Sequence, residues 1–116
     1  MPIRADLYGP VGTTRLRLAL DTGATRTAIN VGRLVSVGYD PALSADRVQV
    51  TTGSGVEYAP RVVVERLEAL DQERLSFPLL AHTLPPSTGV DGLLGLDFLR
   101  GLALTIDFRS GRITLT

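Results

Sequence analysis

Among its 116 residues the chain has no cysteine. That excludes disulfides, thiolate nucleophiles, zinc ribbons and iron–sulfur clusters. Histidine occurs once, as His82. Multi-histidine metal sites are therefore excluded, and a Ser–His–Asp triad has little to build on. Lysine is absent too, so all 12 basic residues are arginine, balanced by 12 acidic residues to a net charge of zero. We read the missing lysine as coding bias. The arginines run from Arg4 to Arg112 without a cluster, so no nucleic-acid footprint is visible and no nucleic-acid partner is expected. No apolar run approaches the length of a membrane span. The opening Met1-Pro2-Ile3-Arg4-Ala5-Asp6 lacks the apolar core of a secretory signal. The expected location is cytoplasmic for a complete chain and undefined for a domain excised from a longer one.

What is present is ordinary for a globular protein: 44% hydrophobic and 21% charged residues. The length suits one domain spanning 1–116. Twelve glycines and 7 prolines punctuate the chain every few residues. The short segments between them favour an all-β barrel or sandwich over helices. Residues 3–8 and 13–20 read as a hairpin around Gly9-Pro10-Val11-Gly12. In its second strand Leu16, Leu18 and Leu20 share one face, with Arg15 and Arg17 on the other. A short strand is expected over 27–30, then a brief helix over 31–37 capped by Asn30 and ended by Gly38. Residues 47–52 and 56–58 flank Gly53-Ser54-Gly55 as a second hairpin. Residues 61–70 suit strand or helix; Pro60 before them and the turn-like Asp71-Gln72-Glu73 after them favour strand. A strand over 74–81, a loop over 84–89, a short helix over 96–100 and a hairpin of 102–108 with 112–116 complete the reading.

The chemistry centres on Leu20-Asp21-Thr22-Gly23-Ala24, which sets a carboxylate directly after an apolar strand. The strand delivers the acid to the edge of a barrel. Thr22 supplies a hydroxyl, and Gly23 allows close backbone approach. Alone the tripeptide is a common turn sequence. Farther along, Val90-Asp91-Gly92-Leu93-Leu94-Gly95-Leu96-Asp97-Phe98-Leu99 joins two bulky apolar residues to a glycine and a short helix. The glycine-tipped hairpin lies between the two elements.

These three features in this order resemble the retropepsins, single-domain aspartic proteases of retroviral type, and more narrowly their bacterial relatives. The resemblance runs from about Arg15 to Phe108. It implies an all-β fold, a small closed barrel with one or two short helices. It also implies a homodimeric aspartic endopeptidase acting on peptide or protein, with no cofactor and no metal. Asp21 would be the catalytic carboxylate. Thr22 would hydrogen-bond to the partner subunit and, with Gly23 and Ala24, support the active-site loop. Gly53, Ser54 and Gly55 would form the flap tip, and Leu93, Leu94 and Gly95 the loop packed behind the catalytic one. The viral enzymes carry an acid at the position of Thr25 and an arginine at that of Leu96, which brace the dimer; neither is present here.

One Asp-Thr-Gly per chain means that a site of two carboxylates takes one from each of two subunits on a two-fold axis. The second function considered is a non-catalytic dimeric β-barrel used for binding or assembly. Asp91 reads as a turn residue rather than a second acid, and Asp97 as a carboxylate favourable to a helix N-terminus. His82 reads as a surface or satisfied histidine. Arg26 could touch substrate or the partner, but exposed arginines are usually solvated. Tyr58 reads as a half-buried strand tyrosine rather than a cleft residue.

Overall fold

The computed structural model describes residues 2–53 and 55–116. Its strands are β1 (Pro2–Gly9), β2 (Gly12–Leu20), β3 (Ala28–Ile29), β4 (Arg47–Thr52), β5 (Gly55–Ala69), β6 (Gln72–Ala81), β7 (Gly92–Leu94), β8 (Leu104–Asp107) and β9 (Arg112–Leu115). Two short helices, α1 (Val31–Ser36) and α2 (Leu96–Leu99), join them. The main sheet runs β1-β2-β7-β3-β6-β5-β4, and β1 also pairs with β5. That extra pairing closes the first six strands into a barrel, leaving β4 attached to β5 alone. The small all-β barrel expected from the sequence is therefore observed. No helix among the described residues is long and apolar enough to cross a membrane.

Alternation drives the barrel wall. Leu16 and Leu18 are buried and Leu20 packs against the same core, while Arg15 and Arg17 stay exposed. Ile29, Leu67, Leu79, Leu94 and Phe98 complete the interior, with Phe77 and Phe98 edge to face at 5.8 Å.

Three local points depart from the expectation or add to it. Residues 55–69 form one strand, not two separated by Pro60. Pairing with β4 ends at Arg47–Pro60, and pairing with β6 begins at Arg61–Leu80. Proline thus sits where the strand passes from one neighbour to the other, a place that tolerates a missing N–H.

The second is an irregularity in the strand favoured over 61–70, which is observed. Val64 and Leu67 are both buried, three residues apart. Strand alternation slips at Glu65, opposite Ser76, whose φ of 47 lies in the left-handed region. The Glu65 N–H leaves the ladder and donates to the Tyr39 hydroxyl (2.7 Å), which itself donates to the Tyr8 carbonyl (2.6 Å). Burial of Tyr39 raises its pKa above the ordinary 10.0.

Third, Asn30 does not cap α1 with its side chain. Its Oδ1 accepts instead from the Leu84 N–H at 3.0 Å, tying the helix start to the 84–89 loop. The helix does end at Gly38, where φ is 102.

The C-terminal hairpin β8–β9 is a separate two-stranded sheet. Leu104, Ile113 and Leu115 turn toward the core, whereas Phe108 at its end is 87% exposed. The turn is fixed by Asp107, whose carboxylate accepts from the Arg109 and Ser110 N–H groups; these bonds lower its pKa.

Candidate active site

Two loops meet at the end of β2. Strand β7 enters between β2 and β3, parallel to the first through Leu20–Leu94 and antiparallel to the second through Ala28–Leu93. The Asp21 N–H then donates to the Leu94 carbonyl at 3.0 Å, so the loop begins anchored. The Asp21 side chain accepts from the Gly23 N–H at 2.9 Å, and its carbonyl accepts from the Ala24 N–H at 3.2 Å. A Cβ on Gly23 would stand 3.2 Å from the Asp21 carboxylate. The Asp21 carboxylate, partly accessible, lies on a cleft of about 370 Å³.

Behind this loop the contact is closer still. The Leu96 N–H donates to the Ala24 carbonyl at 2.9 Å. A Cβ on Gly95 would sit 2.7 Å from the Arg26 carbonyl carbon, so only glycine fits there. Thr27 is fully buried and is satisfied at every polar atom. Its hydroxyl accepts from the Gly95 N–H at 3.1 Å and donates to Asp97 at 2.7 Å, and its own N–H reaches both Asp97 oxygens at 3.0 Å. Asp97 also accepts from the Phe98 N–H at 2.8 Å. Its role is thus larger than the favourable helix-end charge read from sequence: it clamps the two loops together.

The structure brings Asp21, Gly23, Ala24 and Leu93 to one cleft, with Leu94 and Gly95 buried behind. Thr22 is exposed and does not line it. The β4 strand of the β4–β5 hairpin contributes Val48, Gln49, Val50 and Thr51 to the lining of the cleft. Gly53 and Gly55 stand at the exposed tip beyond them, and Gly55 has a φ of 131. Ser54 lies outside the described residues.

Other assignments shift. His82 is half-buried and lines the cleft, because β6 runs parallel to β3 into the site. It is not a remote surface histidine. Tyr58 is 65% exposed rather than half-buried. Asp91 is structural, as expected, yet its partners lie outside its own turn. Its carboxylate accepts from the Arg17 N–H at 2.8 Å and from Arg33 Nε at 3.1 Å. Thr27 was missed altogether. The available signal was a threonine heading a buried strand, with an aspartate two residues after the Gly95 it contacts.

Comparison with known proteins agrees with the fold. The sequence matches the family described as "Aspartyl protease" over residues 7–98. The fold is similar to the solved structure of a retropepsin-like aspartic protease from Rickettsia conorii. The two are 16% identical with a TM-score of 0.66, and the alignment covers 98% of this chain and 79% of that one. A search of curated proteins gave no significant match. The chain therefore belongs to the aspartyl protease family, with a retropepsin-like fold.

Proposed function

We propose that residues 1–116 act as a single-domain, homodimeric aspartic endopeptidase. The observation that carries the reading is Asp21. Among the described residues it is the only carboxylate lining the cleft, and it stands on a loop held from behind by backbone bonds. One carboxylate is half of an aspartic protease dyad, and a second copy supplies the other half across a two-fold axis. Two like charges that close do not both ionise, so the pair holds one shared proton. The ionised member takes a proton from a bound water, which attacks the scissile carbonyl. The protonated member donates a hydrogen bond to the carbonyl oxygen, the logic common to aspartic proteases. Activity then follows a bell in pH, lost when both carboxyls are protonated and again when both are ionised.

In this reading Thr22 is free to bond to the partner subunit, being exposed at the loop apex. Gly53 and Gly55 flank the tip of a flap whose β4 strand already lines the cleft. The dimer contact includes β8–β9, since a two-stranded sheet is marginal alone and gains from adding strands.

The test is hydrolysis of an unfolded protein by wild type and by Asp21→Asn. Loss of cleavage in the variant, with activity per mole of wild type rising with concentration, supports the reading. Cleavage that survives in Asp21→Asn overturns it. So does activity per mole that stays constant down to concentrations where the protein sediments as a monomer.

A further inference from the structure

Arg26 follows Asp21 on the same anchored loop, and its side chain is exposed at the cleft wall. Its backbone is fixed, because Gly95 packs against its carbonyl group. Arg15, Arg33, Arg61 and Arg66 are each held by a carboxylate. Among the described residues Arg26 has no such partner. Asp97, which shares an adjoining hollow with Arg26, already accepts from Thr27 and Phe98. Among the described residues the rest of the cleft wall adds no negative charge besides Asp21. It offers the Thr25 hydroxyl, the Gln49 amide and the His82 ring, all able to donate hydrogen bonds.

We infer that Arg26 forms a subsite that selects an acidic side chain, Asp or Glu, in the peptide substrate. This rests on the endopeptidase reading for its substrate class. Recognition itself precedes any chemistry. An arginine fork pairs with a carboxylate through two parallel N–H···O bonds and gains little from the uncharged amide of the same shape. Fixing the backbone of Arg26 reduces the disorder that binding must remove.

The experiment uses fluorescently labelled octapeptides of apolar residues, with Glu placed at each position in turn and a Gln counterpart for each. Binding is followed by anisotropy on the dimer of the Asp21→Asn variant, so that no turnover is needed. At one position Glu should bind about fivefold tighter than Gln, the upper range for a partly solvated ion pair. The ratio should shrink as salt is added. Combining Asp21→Asn with Arg26→Gln should bring the ratio to one, and Arg26→Glu should reverse it in favour of a Lys peptide. Equal binding of every Glu and Gln pair overturns the inference. So does a Glu preference that persists in Arg26→Gln, or failure of all the peptides to bind. Selective binding without hydrolysis by the wild-type dimer would instead leave the subsite standing and remove the endopeptidase reading.

Discussion

The Asp21 loop and the β4–β5 hairpin face each other across one cleft, yet they are built on opposite terms. The loop is bonded from behind at Asp21, Ala24 and Thr27, and its neighbours Leu94, Gly95 and Phe98 are buried. In the hairpin, residues 55–58 are all exposed, and β4 pairs with β5 alone. The first region spends its backbone groups on internal bonds; the second leaves its outer edge to solvent. A site that binds a peptide needs both, a fixed reacting group and a cover with little to lose when it moves.

The contrast predicts a gradient of mutational cost. The largest loss of stability is expected for Asp97→Ala, which strands the buried Thr27 N–H and hydroxyl. Urea unfolding should show a cost of about 3 kcal/mol, with Asp97→Asn losing less because it keeps one acceptor oxygen. Equal midpoints for Asp97→Ala and wild type would break the comparison at its rigid end.

An intermediate cost of about 1 to 2 kcal/mol is expected for Tyr39→Phe, which orphans the Glu65 N–H and the Tyr8 carbonyl. This site also carries a pH signature. The raised pKa of Tyr39 means that its stabilisation is complete below pH 10.0 and lost as pH rises through the folded-state value. Burial also raises the pKa of Tyr8, so part of the alkaline loss should remain in the variant. An alkaline unfolding curve whose slope is the same in both proteins would show that Tyr39 does not contribute.

The smallest change in stability is expected at the hairpin tip. Replacing Gly53 and Gly55 together by Val should cost less stability than either variant above, since a Cβ added at either position is in open space and only the strain at Gly55 opposes it. Peptide turnover should nonetheless fall, because the φ of 131 at Gly55 resists a β-branched residue. Unchanged hydrolysis in this double variant would show that the tip is not a flap.

Local pattern carried much of this structure. The Leu16, Leu18, Leu20 alternation, the Asp21-Thr22-Gly23 loop, the hairpin ending at Gly53 and the Leu93-Leu94-Gly95 element are all read from neighbouring residues. What escaped depends on distant ones. The irregularity of β5 at Glu65 escaped because its partner, the Tyr39 hydroxyl, arrives from 26 positions away. Asp97 looks like a helix-end charge because Thr27 is separated from it by 70 positions. His82 enters the cleft only through the parallel pairing of β6 with β3, which no local rule encodes.

The insertion of β7 between β2 and β3 has a consequence for the order in which the chain becomes competent. Asp21 leaves the ribosome before the carbonyl of Leu94 that anchors it and the Asp97 that clamps Thr27. A nascent chain has the Asp-Thr-Gly without the frame that holds it. Contacts of such long range close late and slowly. The Asp21 loop is therefore assembled only after the residues through Asp97 have been synthesised, and a product truncated before Leu94 carries the carboxylate without its mount.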